Sequence, residues 1–123
     1  IADVITETVA EDLRADIVVE GANGPTTPAA DDVLREREIT LVPDILANSG
    51  GVIVSYLEWV QNTQEYDWTL EEVNEDLNRR IVSAFDEVIE MAEEQGTPDY
   101  RTAAYAIAID RMGTAHAHRG LFP

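Results

Sequence analysis

The chain has 123 residues, 45% of them apolar, enough to build a core, so disorder is not the default. Asp and Glu total 25 against 8 basic residues, a net charge of -17; a field of that sign repels phosphate backbones and anionic lipid, which argues against nucleic-acid and membrane binding. There is no cysteine, which excludes disulfides, thiolate zinc sites and cysteine catalysis.

All eight basic residues are arginines and lysine is absent. The acids are scattered and lack the spacing of a calcium loop. Dispersed carboxylates of this kind suit adaptation to high salt, where they keep a surface hydrated and their mutual repulsion is screened. No run is long enough for an uncharged spanning helix, and no basic-then-apolar leader pattern opens the chain, so a cytoplasmic protein is the expectation.

In chain order, Asp3 to Ile5 reads as a short extended piece. Thr8-Val9-Ala10-Glu11 has a capping-box pattern, predicting a brief helix to about Arg14. "DIVVE", Asp16 to Glu20, has a β-branched apolar centre and predicts a buried strand. "GANGPTTP" is a loop, after which Thr27 can cap and Pro28 can open a helix over roughly 28 to 38. Ile39 to Val42 predicts a second strand, with the apolar run Pro43 to Leu46 reading as its end. Strand, helix and strand over so few residues imply a parallel βαβ unit with a right-handed crossover. A helix from about Gly50 to Asn62 and the linker "TQEYDW" follow. Thr69-Leu70-Glu71-Glu72 is a second capping box, and apolar residues from Leu70 to Met91 keep helical spacing to about Glu94. Gly96 stops that helix; Thr97-Pro98 opens an alanine-rich one ending near Gly120.

Two parallel strands leave a sheet incomplete, and no G-x-G-x-x-G fingerprint is present. The expectation is therefore the C-terminal part of a longer α/β protein: a βαβ end-piece followed by a helical arm.

In open α/β sheets, ligands sit beyond the carboxyl ends of the strands. Two loops occupy that edge, "EGANGPTTP" and "LANSGGVIVS", and each carries an asparagine just past its strand, Asn23 or Asn48. A carboxamide offers donors and an acceptor to ribose hydroxyls or a nicotinamide amide, though both asparagines can equally be turn residues. Gly50 and Gly51 open a helix, either to let a ligand or another backbone approach the amide N–H groups or to make a tight turn needing positive φ. Val52 and Ser55 share a helix face. Ser55 can donate to a substrate carboxylate or back-bond to the carbonyl four residues earlier. Asp44 is the carboxylate nearest this edge and is a candidate support for the site. His116 and His118, two apart on a helix, point in different directions, so no metal site is expected.

"VVEGANGPTTPAAD", "VPDILANSGGVIVSYLEWVQN" and the tail "DYRTAAYAIAIDRM" resemble the C-terminal portion of glutamate dehydrogenases, within the Glu/Leu/Phe/Val dehydrogenase family. The resemblance implies the C-terminal part of a Rossmann-like NAD(P)-binding domain over residues 1–69. Residues 70–123 would then be helices packing back toward a substrate domain absent from the chain. It implies a hexamer, in an extreme halophile given the charge, that interconverts L-glutamate with 2-oxoglutarate and ammonia using NAD or NADP. The implied steps are hydride transfer from the glutamate α-carbon to nicotinamide and water attack on an iminium. Carried over onto matching positions, Asn23 contacts the nicotinamide-side ribose and Asn48 lies beside nicotinamide and substrate. Gly50 is a cofactor-binding position, Val52 lines the substrate pocket, and Ser55 binds the substrate's side-chain carboxylate. The family's catalytic lysine and aspartate belong to the substrate domain, and a chain without lysine cannot supply that lysine. Catalytic residues are therefore expected outside this chain, which alone should be inactive. The competing readings are a free-standing acidic interaction module built on the helical arm, and a non-catalytic regulatory subunit.

Overall fold

The computed structural model describes residues 2–96 and 99–120, so the expected helix opening at Thr97-Pro98 lies outside the described residues. Two short strands, β1 (Ile17–Val19) and β2 (Thr40–Val42), pair in parallel with Ile17 opposite Thr40, Val18 opposite Leu41 and Val19 opposite Val42. Between them runs α2 (Pro28–Glu36), opened as the sequence requires: Pro28 takes the first turn, where its missing N–H costs nothing, and the Thr27 hydroxyl accepts from Ala30 N at 3.2 Å. The βαβ unit is thus as expected. α1 (Glu7–Asp12) is placed differently from the expected capping box at Thr8. Extended Thr6 precedes the first turn and Ala10 N bonds to Thr6 O at 2.8 Å, so the helix begins earlier and lacks a side-chain cap. At its far end Leu13 turns out of helical geometry, and Arg37 donates to the Ala10 and Leu13 carbonyls, satisfying groups the helix leaves open.

The core lies in two parts on opposite faces of β2. Leu41 points to one, with Ala10, Ala30, Leu34 and Ile39, and Val18 of β1 joins it there. Val42 points to the other, packed on Leu46, Val88, Ala92, Ala103 and Ala104. The alternation of a strand produces this division. Side by side with Val42 across the parallel register, Val19 has no such cover. It is 63% exposed and Ile17 is 60% exposed. The expected burial of "DIVVE" is corrected here: the strand forms, but nothing in the described residues covers that face of β1.

After β2 the structure departs again from the expected strand end. Pro43 caps a one-turn helix, α3 (Asp44–Ala47), leading through Asn48 and Ser49 into α4 (Gly50–Gln64). The run Ile45-Leu46 is apolar because Leu46 is buried in a helical turn, a pattern that a short window cannot tell from strand. α4 ends at Glu65 in the left-handed region. α5 (Leu70–Glu94) opens on the reciprocal Thr69/Glu72 capping box read from sequence. Gly96, at φ 67°, follows it, and α6 (Tyr100–Arg119) returns with Asp99 as its cap. Ala92, Ala103 and Ala104 are buried between α5 and α6, so small side chains let these helices approach closely. No described helix is long and apolar enough to cross a membrane.

Candidate functional site

Both expected loops leave the carboxyl ends of their strands, and their asparagines meet there. Asn48 Nδ2 donates to Asn23 Oδ1 at 2.5 Å, across 25 residues of chain. This bond uses one donor and one acceptor, leaving Asn23 Nδ2 and Asn48 Oδ1 without a protein partner among the described residues. The site therefore presents a donor beside an acceptor. Gly21 and Gly24 have open space where a side chain would stand, which keeps this rim low.

A carboxylate joins the same loops from beneath. Gly24 N donates to Asp44 Oδ2 at 2.7 Å, and Ile45 N donates to Asp44 Oδ1 at 2.8 Å. Asp44 N in turn donates to Glu20 Oε2 at 2.8 Å. Glu20 ends the first strand run, and its side chain is 0% exposed. Its other oxygen accepts from Arg101 Nη2 at 2.7 Å, while Arg101 Nε donates to Asp31 Oδ2 at 2.6 Å and Nη1 lies 3.5 Å from Asp44 Oδ1. One arginine of α6 thus faces three carboxylates, from the end of β1, from α2 and from α3. Burial alone would favour its neutral form; the hydrogen bonds and charges of Glu20 and Asp31 outweigh that and hold its pKa above the ordinary arginine value.

This cluster is what sequence reasoning missed. Sequence points to Asp44 at the edge but not to Glu20 and Arg101, which lie 81 residues apart. The available signal was scarcity: with eight basic residues in so acidic a chain, one flanked by the apolar and small residues of "YRTAAYAIA" is a candidate for a buried pair.

The remaining expected residues lie along α4. Gly50 is not at positive φ, so the tight-turn explanation for the double glycine is removed. Its open side faces α5, where an added Cβ would meet Ile81 Cδ1 at 3.5 Å and Leu77 Cδ1 at 3.8 Å, ordinary contact distances; Gly51 has nothing within 4 Å. Val52 is 74% exposed, and Ser55, one turn on, is exposed too. Ser55 makes no side-chain hydrogen bond within the described residues, whereas Thr63 on the same helix does back-bond, to Trp59 O at 2.8 Å. Exposed Tyr56 and Trp59 lie with ring centroids 6.0 Å apart, and Arg80 of α5 sits 5.8 Å over the Tyr56 ring.

A cavity of about 390 Å³ lies elsewhere, at the amino end of β2 between α2 and the start of α6, and touches none of Asn23, Asn48, Gly50, Val52 or Ser55. At the asparagine edge Asn23 is exposed and Asn48 half-buried. No group of three metal-binding side chains occurs among the described residues.

Residues 1–120 match the Glutamate/Leucine/Phenylalanine/Valine dehydrogenase family. The chain belongs to that family. Glutamate dehydrogenase A2 of Halobacterium salinarum is 60% identical over all 123 residues, and the match covers 30% of that protein. The NAD-specific glutamate dehydrogenase of Staphylococcus aureus is 53% identical over 120 residues, covering 98% of this chain and 29% of that one. Among solved structures, the hetero-hexameric glutamate dehydrogenase of Thermus thermophilus in its leucine-bound form superposes with a TM-score of 0.94 at 36% identity, over 99% of this chain and 29% of that one. The chain spans about 30% of the length of the curated relatives it matches. The carboxamide pair, with Asn23 exposed and Asn48 half-buried, leaves one donor and one acceptor, chemistry that fits a nucleotide's ribose hydroxyls and carboxamide.

Proposed function

We propose that this chain is one part of a glutamate dehydrogenase that uses NAD or NADP in the reversible oxidative deamination of L-glutamate to 2-oxoglutarate and ammonia. Residues 1–69 form the C-terminal part of its Rossmann-like dinucleotide-binding domain, and residues 70–123, which include α5 and α6, pack back toward a substrate domain. The parent assembles as a hexamer.

The observation that carries this reading is the Asn23–Asn48 bond at the carboxyl edge of a parallel pair, where ligands of open α/β sheets bind. Bound nicotinamide supplies the hydride acceptor. This chain's residues bind and orient. Asn23 donates to the ribose, Asn48 faces the nicotinamide and substrate, and Gly50, in the first turn of α4, is the cofactor-binding position by its backbone, since its side-chain direction is taken up by α5. Val52 lines the substrate pocket, and the Ser55 hydroxyl, unused within the described residues, donates to the substrate's side-chain carboxylate. The proton-transfer lysine has to come from outside a chain that contains none. The interaction-module reading relies on a long amphipathic helical arm free to bury against a partner, whereas α5 and α6 already bury Val88, Ala92, Ala103 and Ala104 within the chain.

The test is glutamate-dependent reduction of NAD or NADP by the full-length protein. Turnover is expected with glutamate and not with leucine, phenylalanine or valine. A full-length protein that binds neither nucleotide, or that prefers an apolar amino acid, overturns the reading.

A further inference from the structure

We propose that Arg101 is a positioning residue for the nucleotide site: through Glu20 and Asp44 it fixes the separation of the two asparagine loops, and so sets nucleotide affinity. The inference rests on the dehydrogenase reading of those loops.

The geometry divides the arginine's work. Its Nε donates to Asp31 of α2 and fastens α6 to the βαβ unit. Its two Nη groups point the other way, toward Glu20, the residue before the first loop, and Asp44, the residue that opens the turn after β2. Glu20 is shared: one oxygen takes the Arg101 N–H and the other takes the backbone N–H of Asp44. Asp44 then holds Gly24 of the first loop at 2.7 Å. Asn23 is the neighbour of Gly24, and Asn48 lies one helical turn past Asp44, bonded to Asp44 O through its own N–H at 3.0 Å. Asn23 is therefore two steps from the Asp44 carboxylate, through Gly24, and Asn48 is one backbone hydrogen bond from Asp44 itself, the residue whose carboxylate Arg101 faces. A planar fork with fixed N–H directions holds two carboxylates at a set spacing, which a lysine's single ammonium cannot do. A site already in its binding geometry loses less on ordering when ligand arrives.

The competing account is that Arg101 only fastens α6, and two arms of the arginine separate these ideas. In the full-length protein, Arg101→Met combined with Glu20→Gln removes both arms and neutralises Glu20, the partner whose side chain is fully buried, so that the loss it shows beyond that of Asp31→Asn belongs to the loop arm. Asp31→Asn removes the fastening arm alone. Nucleotide dissociation constants, measured by titration of NAD and NADP, and thermal midpoints are the readouts. The double variant is expected to bind nucleotide about tenfold more weakly while turnover at saturating nucleotide stays within about threefold, the pattern of a site misplaced rather than dismantled. Asp31→Asn is expected to lower the thermal midpoint while leaving the dissociation constant within about twofold, because its partner arm does not reach the loops. Arg101→Lys keeps the charge but not the fork, and is expected to weaken binding about threefold or more; it decides alone should the double variant not fold. The proposal is overturned if the double variant, or failing that Arg101→Lys, binds nucleotide as the unmutated protein does, or if Asp31→Asn weakens binding equally. An unmutated protein that binds no nucleotide defeats the dehydrogenase reading itself, a different result from unchanged affinity in the variants.

Discussion

Asn48 and Asn23 share a hydrogen bond of 2.5 Å, between loops that follow different strands. Each carboxamide restrains the other, which leaves Asn23 Nδ2 and Asn48 Oδ1 as a donor and an acceptor without partners among the described residues. Asn48→Ala in the full-length protein removes the acceptor and frees Asn23 to rotate. Its effect on stability is expected to be about 1 kcal/mol or less, the net worth of a partly exposed hydrogen bond. Nucleotide affinity is expected to fall about tenfold, since a polar ligand group is left without its partner. Calorimetric titration and a denaturant melt measure the two. A stability loss with unchanged affinity would assign the pair to loop structure alone.

Ser55 is exposed on α4 and has no hydrogen bond to the chain, in contrast to Thr63. Ser55→Ala should therefore leave folding within about 0.5 kcal/mol, as for surface sites without special contacts. If its hydroxyl meets the substrate carboxylate, the KM for glutamate rises about tenfold or more while nucleotide KM does not move. Steady-state kinetics with both substrates varied give the answer. Equal changes in both constants would place Ser55 outside the substrate subsite.

Leu34 of α2 is 1% exposed and packs with Ala10, Ala30, Ile39 and Leu41. Leu34→Ala is expected to cost about 2–5 kcal/mol, from lost burial and from the cavity left under the sheet. The expected signature is a lower unfolding midpoint with nucleotide affinity preserved in the protein that remains folded.

Asp99 caps α6, accepting from Thr102 N at 2.9 Å and from the Thr102 hydroxyl at 2.7 Å. Burial pushes its carboxyl up, but those two bonds and the charges of Arg35 and Arg101 outweigh it, and its pKa lies below the ordinary 3.8. A carboxyl depressed in the folded state contributes stability that is fully present above 3.8 and is lost as pH falls through the folded value. Asp99→Asn keeps a capping oxygen and removes the charge. The unmutated protein is expected to be the more stable of the two at neutral pH, with the difference shrinking as pH falls below 3.8. Paired unfolding curves across that range check the sign, and a gap that widens in acid would refute the assignment.

What sequence made legible here is what short spacing controls. Thr27 and Pro28 specify the start of α2, Thr69 and Glu72 specify the start of α5, and the apolar runs around Val18 and Leu41 specify two strands that such a short crossover must make parallel. The asparagine loops are legible for the same reason, because each follows closely on its strand. α3 was hidden because Ile45-Leu46 continues a strand's apolar run, although Pro43 followed by Asp44 is a helix-opening pair. The exposure of Ile17 and Val19 depends on what packs above β1, which the strand's own residues do not encode. Arg101 was invisible for a third reason: its partners lie 81, 70 and 57 residues away, and only the fold brings them to one guanidinium.

The net charge of -17 makes a further prediction that does not depend on the site. Arg101, Arg111, Arg79, Arg80 and Arg35 are each already paired with carboxylates, so most of the surplus acid faces solvent without a cation from the chain. At low ionic strength those charges repel across the surface, and compaction brings them closer together. At about 1 M salt the Debye length falls to about 3 Å, which removes all but the nearest repulsions. Internal pairs such as Arg101–Glu20 are screened much less, because Glu20 is buried. The full-length protein is therefore expected to gain thermal midpoint steadily from dilute buffer to molar KCl, by more than a relative with balanced charge does over the same range. Circular dichroism melts across a salt series measure it. A midpoint that is flat, or that falls as KCl rises, would mean that attractive pairs and not surface repulsion govern the stability of this acidic surface.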